Sequence, residues 1–297
     1  MQDRARGRAW SKPAAVGVLG GALTVLGLLA EGHAAPASQD VAFAPHRAIY
    51  DLSLDGAQSG SGVTGVNGRI VYELSGNACE GYAQSMRFVT QTLNQEGDMQ
   101  TTDLRTSSWE EVPAKRLRFS TSTYQNEMLA EQTQGVATRK QGTGEAAVAL
   151  AKPSKRDAKL PGDVYFPIQH SMAIIRAARG GRTILAADLY DGSETGDKIY
   201  ATSTAIGRQI QPGAAPVVSL AKGVAELDRV PSWPISVSYF STTQGPGDAV
   251  PLYEMSYRFH DNGVTSSLRI NHGDFAIKGE LKELTYFEPS PCKNPAP

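Results

Sequence analysis

Cysteine, long apolar runs and excess charge are all scarce in this chain, and each shortage excludes a class of protein. The 297 residues contain two cysteines, Cys79 and Cys292, so no Cys-x-x-Cys metal or redox motif exists. One apolar run, residues 14–30, approaches the roughly 20 residues that a membrane-spanning helix needs. The 29 Lys and Arg are balanced by 30 Asp and Glu, so we expect no nucleic-acid-binding surface.

The N-terminus has the three-part layout of a secretory signal peptide. A basic segment at residues 4–12 precedes the apolar run 14–30, and Gly32 and Ala34 provide the small residues of a cleavage site. We therefore predict a signal peptide at residues 1–34, cleaved between 34 and 37, and a soluble mature protein in the periplasm. A retained membrane anchor is the alternative, because about 17 residues is the lower limit for a spanning helix.

Export determines the expected state of the two cysteines. Thiols in an oxidising compartment pair rather than stay reduced, so a disulfide between Cys79 and Cys292 is predicted. It would close a loop of about 210 residues and, on the chain-entropy model, stabilise the fold by about 5 kcal/mol. A link of this length favours one domain, residues 43–292, over two.

Alternation of apolar and polar residues dominates the chain after residue 45 and is typical of half-buried strands. Residues 46–54 show it clearly, and the Thr- and Ser-rich run after Leu117 and Phe119, residues 120–123, favours a strand over a helix. In the C-terminal third, residues 253–259 alternate, an Asn-Gly turn follows, and two further alternating runs complete a predicted antiparallel meander. A slip in the alternation near Lys282 indicates a β-bulge.

One short helix is predicted near residues 167–180. Apolar residues recur there at spacings of three and four, Pro167 suits the first turn, and Gly180 suits the end. A dozen or more strands with one helix predict an all-β, mainly antiparallel fold, built as a long spiral or barrel-like coiled sheet. Stretches rich in Pro, Gly, Ala or Lys are expected to be linkers: residues 35–44, 151–162 and 211–216.

Histidines and acidic residues are the candidates for metal binding. Four histidines follow the leader, His46, His170, His260 and His272, and none is three or four residues from another. His260 and His272 flank turns of one meander and are placed to approach each other, but solvated turn histidines are the favoured interpretation. No metal site is expected from them.

Calcium is the metal suggested by the acidic cluster at residues 188–197. Its carboxylates lie in a loop that contains glycine, and oxygen ligands of this kind suit calcium. The spacing matches no EF-hand, so a turn around Gly192 is the favoured interpretation. The carboxylates are Asp188, Asp191, Glu194 and Asp197.

The chain contains no recognisable catalytic motif. A Gly-x-Ser-x-Gly elbow is absent. The glycine-rich run 59–65 lies between predicted strands, whereas a phosphate-binding loop precedes a helix. Glu110 and Glu111 would point to opposite faces of a strand, which disfavours a glycosidase pair. We therefore predict no catalytic residue and no cofactor.

Three short segments carry a family resemblance. They read Phe-Pro-Ile-Gln-His at 166–170, Leu-Tyr-Asp-Gly-Ser at 189–193 and Gly-Asp-Lys-Ile-Tyr at 196–200. Their order, the leader and the placement of the two cysteines resemble the EipB family, the cell envelope integrity proteins of alphaproteobacteria, long carried as a domain of unknown function. The resemblance covers about residues 43–292.

The resemblance implies a fold, a location and a partner. It implies a periplasmic spiral of antiparallel strands with one helix, and a stabilising disulfide between Cys79 and Cys292. It also implies a role in resistance to envelope stress, with a periplasmic tetratricopeptide-repeat protein as functional partner. No catalytic residues are established for the family, so none is transferred.

Three hypotheses for function remain. The first is a monomeric, non-enzymatic envelope-integrity protein that binds a protein partner or an envelope lipid or glycan. The second is a carrier that shields a lipid or glycolipid in the concavity of its sheet, and the third is a hydrolase that uses the acidic loop 188–197. The carrier would be lined by Tyr253, Met255, Tyr257 and Phe259, although an ordinary core is the favoured interpretation of these residues.

Overall fold

The computed structural model describes residues 41–112, 114–140, 144–217, 221–242 and 250–292. The predicted signal peptide, residues 1–34, and its cleavage site lie outside the described residues.

Fourteen strands form a single antiparallel sheet within these ranges. The strands are β1 (His46–Ala57), β2 (Val63–Asn77), β3 (Gly81–Asn94), β4 (Met99–Glu111), β5 (Arg116–Gln125), β6 (Met128–Arg139), β7 (Ala146–Lys152), β8 (Arg156–Leu160), β9 (Ile184–Leu189), β10 (Tyr200–Ile206), β11 (Ser232–Ser241), β12 (Tyr253–His260), β13 (Thr265–Asn271) and β14 (Phe275–Tyr286). The helix α1 (Pro167–Arg179) lies between β8 and β9, and a 3-10 helix (Val224–Arg229) lies between β10 and β11.

The sheet consists of two meanders that meet at its centre, where the first strand of the chain pairs with the last. The order runs from β8 back to β1 and then from β14 back to β9, so β1 pairs with β14 at the centre. The edge strands β8 and β9 are consecutive in the chain and are joined by the segment that contains α1. The predicted all-β coiled sheet with one short helix is therefore confirmed.

Side chains alternate between two faces of the sheet, which we call inner and outer. The inner face packs on α1: Leu74 of β2 and Tyr82 of β3 share a buried cluster with Ile174 and Ile175. The outer face carries ion pairs between neighbouring strands, such as Asp51 with Arg69 at 2.7 Å. The period of two explains this division, because successive side chains of a strand point to opposite faces.

The C-terminal meander and its bulge agree with the sequence analysis. Strands β12, β13 and β14 pair in succession. The register between β1 and β14 passes from Glu283 to Leu281 and skips Lys282. The bulge residue predicted from the broken alternation is confirmed.

One predicted linker, 151–162, is wrong, and so is the described end of another, residues 41–44; residues 35–40 lie outside the described residues. Residues 151–162 contain the end of β7 and all of β8, which pair with each other. In the predicted spacer 35–44, Val41 and Phe43 are 2% and 5% exposed and join the cluster around α1. The Phe43 N–H donates to the Tyr82 hydroxyl at 2.9 Å. Composition alone does not reveal these features, because β8 is defined by its pairing with β7, and Val41 and Phe43 are buried by residues from distant parts of the chain.

Candidate functional site

The disulfide between Cys79 and Cys292 fixes the C-terminal tail to the turn after β2. The two Cα atoms are 5.8 Å apart, an ordinary separation for a disulfide. Asn77 reinforces the link, because its Oδ1 accepts the N–H groups of Cys79 and Glu80 and its Nδ2 donates to the Ser290 carbonyl at 3.1 Å. The site therefore holds two distant segments together.

Glu110 of β4 is an inner-face carboxyl that caps α1. Its two oxygens accept the N–H groups of Ile168 at 2.7 Å and Gln169 at 2.9 Å. These donors have no partner within the helix, and a negative charge at a helix N-terminus is favourable. Glu110 is 2% exposed, and burial raises its pKa to about 7.

The segment Phe166–His170 builds the start of this helix. Gln169 Oε1 accepts the N–H of Phe166 at 3.2 Å and a guanidinium N–H of Arg139 at 3.1 Å. The Arg139 guanidinium lies 4.4 Å from the centre of the buried Phe166 ring. Arg139 also donates to the Val164 carbonyl. This motif is therefore a structural element that holds the start of the helix in place.

His170 completes the same buried network. Thr202 donates its hydroxyl hydrogen to the Ala187 carbonyl at 2.7 Å. The 3.2 Å contact between His170 Nε2 and Thr202 Oγ1 is therefore an N–H donated by the histidine. Burial lowers the pKa of His170 to about 4, so the ring stays neutral at physiological pH.

The other histidines do not form a pair. His260 is fully buried and contacts Ser266 Oγ at 2.8 Å, whereas His272 is exposed and stacks on Phe275. They lie at opposite ends of β13, so the expected approach is wrong. Of the four histidines, only His272 fits the interpretation as a solvated turn residue. His46 is buried like His170 and His260, at 1% exposure. Burial lowers the pKa of His46 and His260.

The loop between β9 and β10 packs closely against β5 and β6. Gly192 has φ of +76°, and a Cβ there would lie 2.3 Å from the Phe119 ring. The Tyr190 hydroxyl donates to the Gly196 carbonyl at 2.7 Å. The Thr133 hydroxyl donates to the Glu194 carbonyl. Glycine is required where the chain passes over an aromatic ring at positive φ.

The carboxylates of this loop diverge to separate partners. Asp197 pairs with Arg156 at 2.6 Å, which lowers the pKa of that carboxyl to about 2. Glu194 contacts Lys198 at 2.5 Å and accepts the Tyr200 hydroxyl at 2.8 Å. Asp191 accepts the N–H of Ser193 at 2.9 Å. Within the described ranges no group of three metal-binding side chains converges, and the calcium interpretation has no support from this geometry.

The residues proposed to line a carrier belong partly to the core. Phe259 is buried in the cluster around α1, and Tyr257 packs against that cluster. Tyr253 stacks on Tyr239 with ring centres 4.4 Å apart. Met255 is half-buried on the same face. The core interpretation therefore holds for Phe259 and Tyr257.

Sequence analysis missed a groove on the outer face of β2 to β7. It has a volume of about 600 Å³ and is lined by small and polar side chains, with Trp109 and Arg118 near its centre. Its position depends on the pairing of six strands, each of which contributes two or three lining residues. The only sequence signal is the abundance of serine in β4 and β5. A second cavity of about 750 Å³ lies beside the tail, where Phe43, Tyr82 and Tyr286 line it.

Comparisons with known proteins point to one family. Residues 37–288 match a family model described as EipB-like. The cell envelope integrity protein EipB of Brucella abortus is 34% identical over 255 residues, which are 86% of this chain and 88% of that protein. A crystal structure of a β-barrel-like protein of a domain of unknown function from Brucella abortus has a TM-score of 0.74 and 32% identity, and the match covers 83% of this chain and 99% of that one.

Proposed function

Because the chain belongs to the EipB-like family, we propose that it maintains the integrity of the bacterial cell envelope from the periplasm by binding rather than by catalysis. The observation that carries this proposal is 34% identity, over 86% of the chain, to a protein named for that role. The disulfide supports an exported location, since disulfides persist in oxidising compartments. In the part of the chain that is described, no helix is both long and apolar enough to cross a membrane.

Three ionisable groups support binding rather than catalysis because they hold parts of the fold together. Glu110 caps α1, His170 donates to Thr202, and Asp191 closes a turn on Ser193. A general acid or base must be within reach of a substrate. These groups are instead engaged with the protein's own backbone and side chains.

We further propose that the protein acts as a monomer with a periplasmic tetratricopeptide-repeat partner. The resemblance to the EipB family supports this partner. Co-purification of a repeat protein with the chain after crosslinking in cells tests it. Recovery of the chain with no repeat protein would contradict this part of the proposal.

Deletion of the gene in its native bacterium tests the role in the envelope. We expect the deletion strain to become sensitive to detergent and to chelation of divalent cations, and we expect the intact gene to restore resistance. A deletion strain that resists both treatments as well as its parent would overturn the proposal. Substrate turnover by the purified protein would overturn the non-enzymatic part alone.

A lipid or glycolipid carrier is the second candidate. The observation that favours it is a set of inner-face side chains that are large, apolar and only half-buried, including Met86, Phe88 and Met255. Native mass spectrometry of protein purified from the periplasm tests this candidate. A bound lipid mass supports the carrier, and a mass equal to the oxidised chain alone contradicts it.

A further inference from the structure

We propose that the outer-face groove on β2 to β7 binds a saccharide chain. The identity of that chain as an envelope glycan rests on the proposed function. The groove volume of about 600 Å³ falls within the range of about 300–1,000 Å³ found for ligand sites. Its lining is divided into two parallel rows, one polar and one largely apolar.

Strand register defines the polar row. Glu73 pairs with Ser85, Ser85 with Ser107, Ser107 with Ser120, and Ser120 with Gln134. The row thus crosses five adjacent strands and, at about 4.8 Å per strand, is roughly 19 Å long. Successive polar groups are spaced at about the length of one sugar unit.

Glu73 of this row pairs with Arg47 at 3.3 Å, and the other four polar groups are available to a ligand. The hydroxyls of Ser85, Ser107 and Ser120 and the Gln134 amide have no hydrogen-bond partner among the described residues. Ser85, Ser107 and Gln134 are exposed, and Ser120 is half-buried. A serine hydroxyl both donates and accepts, and an amide offers two donors and an acceptor, which suits a ligand rich in hydroxyl groups.

The second row lies two residues further along each strand, at a distance of about 7 Å. Ala83 pairs with Trp109, Trp109 with Arg118, Arg118 with Val136, and Val136 with Ala149. Trp109 is the one aromatic side chain of this row and is half-buried, and its neighbour Arg118 is exposed. The Arg118 guanidinium lies over the Trp109 ring, 5.5 Å from its centre, and supplies charged donors there.

This division matches the chemistry of a pyranose ring. The C–H face of a sugar is apolar and packs against an aromatic ring, whereas its hydroxyl rim requires donors and acceptors. A ligand that lies across the strands would place its C–H face on Trp109 and its hydroxyls on the serine row. The lining contains charges of both signs, Glu73 in its pair with Arg47 and the exposed Arg118, so the groove does not select a polyanion.

Calorimetric titration of the protein, expressed from the full chain and purified from the periplasm, tests the proposal. The probes are chitotetraose, peptidoglycan fragments that carry disaccharide and peptide, and the stem peptide alone. We expect saturable binding of the two saccharide probes and no binding of the peptide. Trp109→Ala is expected to weaken binding about tenfold or more, as truncation of an aromatic anchor does.

Two further variants keep the test decisive. Ser107→Arg fills the middle of the polar row from an exposed position and is expected to abolish binding in a folded protein. Phe240→Ala, an outward half-buried aromatic on β11, is the matched control and is expected to bind normally. Absence of saccharide binding, binding of the stem peptide alone, or binding that neither groove variant weakens would overturn the proposal.

The two proposals fail in different experiments. A deletion strain that is sensitive to envelope stress, combined with a protein that binds no saccharide, would overturn the groove assignment alone. Saccharide binding by a protein whose loss leaves the envelope intact would overturn the proposed function alone.

Discussion

Strand β4 presents two kinds of polar environment on its two faces, within residues 107–110. On the inner face, Glu110 is 2% exposed and accepts two helix N–H groups. On the outer face, Ser107 is exposed and has no partner among the described residues, and Trp109 lies beside it in the groove. The inner group is committed to the fold, whereas the outer groups are available to a ligand.

The difference follows from the cost of desolvation. A buried polar group must find a partner within the protein, because an unsatisfied one costs about 1–3 kcal/mol. A polar group in an open groove is hydrated and loses nothing by having no protein partner. Variants should therefore separate the two environments, with large effects on stability inside the sheet and effects on binding outside it.

Loss of the disulfide is expected to have the largest effect on stability. The bond links residues 213 apart in sequence, and on the chain-entropy model its removal costs up to about 5 kcal/mol. Cys79→Ser and Cys292→Ser should lower the free energy of unfolding, measured in urea, by similar amounts. Under native conditions, both variants should still bind chitotetraose in the outer-face groove with unchanged affinity.

The double variant is the control for this prediction. Because both single variants break the same bond, the double variant should be no less stable than either. A single variant that is much more damaging than the other would show that its thiol has a separate role.

Glu110→Gln tests whether burial raises the pKa of the Glu110 carboxyl. Burial raises the folded pKa from 4.5 to about 7, so between these values the native state binds more protons than the unfolded state. The stabilisation that the protonated carboxyl provides is complete below about pH 4.5 and is lost as pH rises to 7. The stability of the wild type relative to Glu110→Gln should thus fall by about 3 kcal/mol over that window.

Urea unfolding of both proteins at pH 4.5 and pH 8 measures this change. The histidines with lowered pKa are present in both proteins, so their contributions cancel in the difference. Glu111→Gln, on the opposite face of β4, serves as the control for loss of a carboxylate alone. If the difference in free energy of unfolding between wild type and Glu110→Gln stays constant with pH, the raised pKa of Glu110 is contradicted.

Gly192→Ala is expected to have the next largest effect. Its φ is +76°, and the new Cβ would lie 2.3 Å from the ring of Phe119, which is 4% exposed and has no room to move. Steric crowding and the left-handed backbone together should cost about 3 kcal/mol. Gly181→Ala is a matched control, because its φ is +70° but nothing lies within 4 Å. The control should cost about 1 kcal/mol, and equal thermal shifts would refute the contact with Phe119.

The sequence allowed better predictions of the strands than of the buried polar contacts. Alternation located β1 and the C-terminal meander, strand propensity located β5, and the broken pattern at Lys282 located a bulge. These signals depend on neighbouring residues. The partner of Glu110 lies 58 residues away, and no local pattern encodes it. His260 reads as a turn histidine for the same reason, since its burial depends on distant strands.

The groove escaped sequence analysis because its rows run across the strands rather than along them. Ser85, Ser107 and Ser120 are unremarkable in their own strands and become a row only through the register. Their placement on one face was predictable from the period of two, but the pairing of β3 with β4 and of β4 with β5 in that register was not. Only the Cys79–Cys292 link could be proposed directly, because the chain has no other cysteine.

The smallest predicted effect on stability is in the groove. Ser107→Ala and Ser120→Ala remove hydroxyls that have no partner in the described part of the chain, so each should change the free energy of unfolding by less than about 0.5 kcal/mol. Both variants should nevertheless weaken chitotetraose binding, because a ligand hydroxyl would lose its partner. Losses of stability comparable to that of Gly192→Ala would show that these serines support the sheet. The division between the two faces of β4 would then be wrong.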